Sequence, residues 1–85
     1  MDKIKIEEAS IKKICLWNFK YLFIGSNGNM IKILDLNKRK IVKNLIGHNN
    51  NISNIQKIYH PLYGNCIVSQ GWFKDQIKLW INLDL

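Results

Sequence analysis

The sequence predicts an all-β protein built as a radial repeat, and three observations carry that prediction. Short apolar runs recur about every ten residues, each bounded by turn-forming Asn, Gly or Pro, which is the spacing of an antiparallel meander. Ile77-Lys78-Leu79-Trp80 has a counterpart in Ile31-Lys32-Ile33-Leu34 about 46 residues earlier, and Ser69-Gln70-Gly71 stands where Ile24-Gly25-Ser26 stands in the first copy. The segments that lie between the two copies also read as strands. A period in this range made of strands alone marks units that bury their apolar faces against one another around an axis.

Residues 3–7 alternate, with Ile4 and Ile6 on one side and Lys3, Lys5 and Glu7 on the other, as in a half-buried strand. Ala9 and Ser10 break it. Residues 11–17 follow; Ile4, Ile11 and Ile14 also fit a period near 3.6, so a helical turn is the alternative, but β-branching and short length favour a strand. Asn18 reads as a turn residue before a strand over 20–24. Residues 25–29 then hold Asn27-Gly28, the pair that supplies the positive φ angles of a tight hairpin. The returning strand spans 30–34. Residues 35–40 turn the chain, and a fourth strand spans 41–46, with Val42 and Leu45 expected inward and Lys43 and Asn44 toward water.

A second unit repeats the order. Residues 47–51 are a crossover whose Asn49-Asn50-Asn51 reads as a flexible loop, and 52–59 the first strand. The loop 60–65 is set by Pro61, which cannot donate to a ladder and restricts the residue before it. Strands over 65–70 and 76–81 flank a hairpin at 71–75. Only Asn82-Leu83-Asp84-Leu85 remains after that, too little for a fourth strand. The organisation is therefore a first unit over 9–46, a second over 47–85 without its outer strand, and residues 1–8 as an N-terminal extension or the outer strand of a preceding unit.

Eighty-five residues make one small domain at most, which buries roughly two-thirds of its unfolded surface. No run of about 18 apolar residues is present, and Met1-Asp2-Lys3 opens no secretory pattern, so no membrane span is expected and the cytoplasm is the default compartment. Cys15 and Cys66 both fall in predicted strands and read as small buried hydrophobes. The net charge of +7, from 13 basic and 6 acidic residues, raises nucleic acid or an anionic membrane surface as a partner. The lysines, however, are scattered singly, and the one dense run, Lys38-Arg39-Lys40, lies in a turn.

The residues Gly47-His48, Ile52, Ile55, Pro61, Val68 to Gly71 and Ile77-Lys78-Leu79-Trp80 together resemble one WD40 repeat. Tyr21 to Gly25, Met30 to Asp35 and Lys40 to Leu45, closed by Gly47-His48, resemble the one before it. The resemblance covers about residues 9–85 and implies a partial β-propeller of about two four-stranded antiparallel blades. It also implies a buried network in which His48, Ser69 and Trp80 hold three of four places. Counting back from Trp80, the fourth place, a turn aspartate, falls on Lys74; Asp75 is displaced by one, and its side chain is expected to point elsewhere. In the first unit Leu34 replaces the Trp, Glu7 stands where a histidine would precede the unit, and Asp35 reads as a turn residue. That copy is expected to be held by apolar packing. Two such units cannot close a ring, so the chain is expected to be a piece of a larger propeller or a segment that completes one.

His48 reads as a structural histidine and His60, beside Pro61, as a surface one; the two lie a full strand apart with no third ligand at short spacing, so no metal is expected. Glu7, Glu8, Asp35 and Asp75 form no pair that would separate two carboxyl pKa values for acid–base work. Gly25-Ser26-Asn27-Gly28 lacks the lysine and following helix of a phosphate loop. The reading is a non-catalytic scaffold with no cofactor, whose partners are other proteins or further blades. The candidate contact residues are Trp72, Phe73, Lys74 and Asp75, in or beside the hairpin at 71–75. The alternative is a basic module that associates with nucleic acid.

Overall fold

The computed structural model describes residues 11–26, 29–73, 75–83 and 85. The predicted strand over 3–7, the tip Asn27-Gly28 and the candidate contact residue Lys74 lie outside the described residues. Seven strands form two antiparallel sheets. Sheet A is the meander β1 (Ile11–Leu16), β2 (Tyr21–Ser26), β3 (Met30–Asp35) and β4 (Lys40–Ile46), and sheet B is β5 (Ile52–His60), β6 (Gly64–Gly71) and β7 (Ile77–Trp80).

Side-chain capping fixes the turns. The Asn18 carboxamide oxygen accepts from the backbone N–H of Lys20 and of Tyr21 at 2.7 and 2.9 Å, reversing the chain between β1 and β2. Asp35 does the same after β3, where its Oδ1 accepts from Asn37 N and Lys38 N at 2.9 Å each. The bond from Lys38 holds the Asp35 carboxyl below its ordinary value against the opposing effect of burial, helped by the bond from Asn37 and the Lys20 and Lys38 charges. Between β5 and β6 the His60 Nδ1 accepts from Leu62 N, and Gly64 takes φ of 73°, where a side chain would be strained.

The core lies between the sheets. Phe23, Ile31, Ile33 and Leu45 of sheet A meet Ile52, Ile55 and Ile67 of sheet B, with Cys15, Trp17, Tyr21, Trp80 and Leu83 packed against them. Each such side chain removed from water contributes about 1.5–3 kcal/mol before entropy is charged against it. β5 runs across β1 and β2 at the shared face, and Gly25 permits the approach: a Cβ there would lie 2.8 Å from Ile52 Cγ2. Lys57 on β5 ties the layers further, its Nζ donating to the Trp17 carbonyl and lying 5.1 Å from the centre of the Trp17 ring.

The two sheets are register copies of one another. Ile11 pairs with Ser26, a bulge follows, and Lys13 and Ile14 pair with Gly25 and Ile24; Ile52 pairs with Gly71, a bulge follows, and Asn54 and Ile55 pair with Gln70 and Ser69. The next strand continues the match, Ile24 opposite Lys32 in one sheet and Ser69 opposite Lys78 in the other. Ile24 and Leu34 thus occupy in sheet A the places of Ser69 and Trp80 in sheet B.

Two inward placements are corrected. Val42 is exposed, because the β3–β4 pairing passes from Ile33–Lys43 to Leu34–Ile41 and leaves Val42 as the unpaired residue of a bulge. Cys15 is half-buried while Cys66 is fully buried, since β1 is an edge strand and β6 a central one. Ile14 and Leu16, on the side of β1 away from the core, are also exposed.

Candidate functional site

Four side chains from four segments meet at one end of sheet B. His48 leaves the crossover after β4, Ser69 lies on β6, Trp80 ends β7, and Asp75 stands in the β6–β7 connection. Trp80 Nε1 donates to Ser69 Oγ at 2.7 Å, His48 Nε2 lies 2.6 Å from the same oxygen, and His48 Nδ1 lies 3.0 Å from Asp75 Oδ2. The partners assign the protons. Trp80 can only donate, so the hydroxyl hydrogen of Ser69 is free to go to His48 Nε2, and Nδ1–H then donates to the carboxylate. Every member is satisfied, and no buried side-chain polar atom among the described residues lacks a partner.

Asp75 corrects the expectation that it points away. Its Oδ2 accepts from His48 and also from the backbone N–H of Asn49 and Asn50, at 3.0 and 3.2 Å. The physical reason is the shape of the turn. Phe73 adopts φ of 60° and Asp75 N bonds back to the Trp72 carbonyl at 3.2 Å, which brings the carboxylate in one residue later than counting predicts. Gly71 leaves the room: a Cβ there would lie 1.9 Å from Asp75 Oδ2. Burial pushes the Asp75 carboxyl up, but hydrogen bonds from Gln76 N, His48 and Asn49 N outweigh it and hold the group below its ordinary value. Its side chain is committed to the interior, so Asp75 is not free to serve as a contact residue through its carboxylate.

Sequence reasoning missed Gly71, Asn49 and Asn50 as parts of this site. The asparagine run reads as a loose polar loop, yet its backbone N–H groups clamp the carboxylate and the Asn51 carbonyl accepts from Trp72 N at 2.9 Å. The Gly at the end of a strand followed four residues later by Asp was the available signal.

Ser69, His48 and Asp75 share the contact order of an acyl-transfer triad. Three features describe how the Ser69 hydroxyl is enclosed. Ser69 is 1% exposed and His48 2%, so no substrate atom reaches the hydroxyl. The Trp80 N–H holds one of the two Oγ lone pairs, tying the hydroxyl to β7. The neighbouring cleft, about 470 Å³, is lined by Asn49, Asn50, Trp72, Phe73 and Asp75, with Ser69 absent from its wall. Asp75 contributes to that wall while its Oδ2 is engaged by His48, Asn49 and Asn50.

The loop above the network is aromatic and outward. Phe73 is 84% exposed and Trp72 partly so, their rings meeting edge-on at 6.1 Å between centres. A bulky non-glycine residue at positive φ is uncommon and costs on the order of 1–2 kcal/mol. The remaining histidine, His60, stacks on Tyr63 at 4.7 Å in its own hairpin, away from this site. Among the described residues no group of three or more His, Cys, Asp or Glu side chains could hold a metal ion, and no helix is long and apolar enough to cross a membrane.

No protein-family model matches the chain, and no curated protein matches it. Fold and site together define the class: an all-β domain of two antiparallel sheets that pack together, one of them braced by a buried Trp–Ser–His–Asp chain.

Proposed function

We propose that the chain is a non-catalytic repeat protein of the WD40 type, two blades of a β-propeller, that binds protein partners through the loop bearing Trp72 and Phe73. The observation that carries the reading is Phe73 itself. Its ring is almost wholly in water and its backbone is in a conformation that asparagine or glycine would adopt more easily, so folding gains little from the residue that stands there. An exposed aromatic pair over a cleft is the composition of an interface anchor. The matched registers and the shared bulge of the two sheets support the repeat, and the inaccessible Ser69 supports a structural role for the network.

Panning a random peptide library against the immobilised chain tests the proposal. The expected result is a set of peptides whose binding weakens at least tenfold with Phe73→Asn and changes little between about 50 and 200 mM salt. Peptides indifferent to Phe73, or oligonucleotide binding that falls steeply with salt, would overturn it in favour of another surface or of the basic-module reading.

A further inference from the structure

Three turns open at the end of the molecule opposite the Trp72 and Phe73 loop. The β1–β2 and β3–β4 turns are bonded directly, Leu36 N donating to the Lys20 carbonyl at 2.7 Å. β5 begins beside Gly25 with Ile52 and reaches Trp17 with Lys57, so its last residues and the hairpin at 60–64 extend past the β1–β2 turn. Cations that the sequence scatters are gathered here: Lys20 from the first turn, Lys38, Arg39 and Lys40 from the second, and Lys57 from β5 beside Trp17. All but the half-buried Lys20 are exposed. Of the two described acidic side chains, Asp75 is at the far end of β6, and Asp35 is 1% exposed with its carboxylate turned onto Asn37 N and Lys38 N. The described residues at this end therefore present cations to the solvent and no acidic side chain.

Two of the three turns also carry an apolar side chain outward. Phe19 is 87% exposed and Leu62 82%, so both stand clear of the protein and line no groove that would receive a peptide. We infer that this end is a peripheral contact surface for a bilayer containing anionic phospholipid, independent of the Trp72 and Phe73 loop. The cations meet the lipid phosphates and carboxylates, while Phe19 and Leu62 enter at the level of the headgroups; a basic patch and an apolar anchor act together in such reversible attachment, and no spanning segment is required. Leu62 favours lipid over nucleic acid. Its side chain offers neither a face for base stacking nor a hydrogen bond, and gains only from an apolar surrounding.

Cosedimentation of the full chain with vesicles tests the inference, using phosphatidylcholine alone and an equal mixture with phosphatidylserine, with circular dichroism confirming that each variant is folded. Expected is binding to the mixed vesicles that is about tenfold or more above that to phosphatidylcholine and falls with salt. Lys38→Gln combined with Arg39→Gln is expected to weaken it by about 5–25-fold, at roughly fivefold for each charge removed. Leu62→Ser and Phe19→Ser, changes at exposed tips, are each expected to weaken it by about threefold or more. Phe73→Asn leaves it unchanged, which separates this end from the loop. The inference is overturned by no binding to the mixed vesicles, by equal binding to both kinds, or by binding indifferent to Leu62→Ser and Phe19→Ser. An oligonucleotide that displaces the chain from the vesicles, and whose own binding ignores those two substitutions, would assign the face to nucleic acid and overturn it as well.

Discussion

Removing the Ser69 hydroxyl by Ser69→Ala is the sharpest test of the buried network. Ser69 Oγ sits between Trp80 Nε1 at 2.7 Å and His48 Nε2 at 2.6 Å and is the partner of both nitrogens among the described residues. The substitution therefore orphans one donor and one acceptor at once. An unsatisfied buried polar group costs about 1–3 kcal/mol. His48 is fully buried and takes the full penalty, whereas half-buried Trp80 recovers part of its loss from water. The sum is about 2–4 kcal/mol. A domain of this size holds roughly 4–13 kcal/mol in total, so the variant loses a large share of its stability and its Tm falls by about 10–25 °C. Urea unfolding followed by tryptophan fluorescence gives the number directly. Trp80→Phe removes only the donor, and the Ser69→Ala/Trp80→Phe cycle is expected to show coupling of about 0.5–2 kcal/mol. A loss below 0.5 kcal/mol for Ser69→Ala, or strict additivity, would refute the assignment of Ser69 as the joint of the chain.

Gly71→Ala drives a methyl into the seat of Asp75 Oδ2, 1.9 Å away, and is expected to break the His48–Asp75 contact; the His48 ring proton signals report it, and an unchanged spectrum would count against the seat. Gly25→Ala forces its methyl against Ile52 Cγ2 at 2.8 Å and is expected to cost about 1–3 kcal/mol by chemical denaturation, with Ile52→Ala in the same chain recovering part of the loss. Asp35 and Asp75 both have folded pKa values below 3.8, so the folded chain binds fewer protons than the unfolded one in that window. Their contribution is full above the ordinary carboxyl value and is lost as pH falls through the folded value. Acid titration of stability in the Asp75→Asn variant is therefore expected to be flatter below about pH 4 than in the parent. Phe73→Asn relieves the αL strain and is expected to leave Tm unchanged or raise it by a few degrees, so a clear destabilisation would show that the ring packs.

The strands were legible because two local signals agreed. Alternation and branching marked them, and Asn18, Asp35, Pro61 and Gly64 marked their ends by chemistry that acts within a few residues. What was illegible depended on geometry without a local mark. The bulge that turns Val42 outward is one extra residue in an ordinary run, and nothing in the sequence near residue 42 announces it. The exposure of Ile14 and Leu16 follows from which side of sheet A meets β5, a tertiary fact that apolar residues on both faces of β1 conceal. The carboxylate of the network was missed by one position for a related reason. Counting assumes an ordinary turn, and an aromatic residue at positive φ is the last one a turn rule would place there.

The two sheets show that one backbone register can be held by two chemistries. In sheet A, Ile24 and Leu34 are buried where sheet B has Ser69 and Trp80, so apolar side chains fill the places that a polar chain fills in sheet B. In sheet B the polar chain does more than hold strands, because it reaches from β7 through β6 to the crossover and the β6–β7 turn. Asp75 is its terminus and also the point at which the turn and the asparagine loop are joined, through Asn49 N and Asn50 N. The strained Phe73 lies two residues before that anchor. The conformation that exposes its ring is therefore tied to the interior by the same carboxylate that completes the network. A polar brace costs more to build than an apolar one, since each member must be satisfied. Its distinctive return here is position: it fixes a surface loop from beneath, which apolar side chains with no hydrogen-bonding atoms, such as Ile24 and Leu34, could not do. Breaking the brace by Gly71→Ala should then change the exposure and exchange rates of the loop at residues 72–76 before the strands themselves loosen. Equal loosening of β6 and the loop would mean that the network holds the sheet alone.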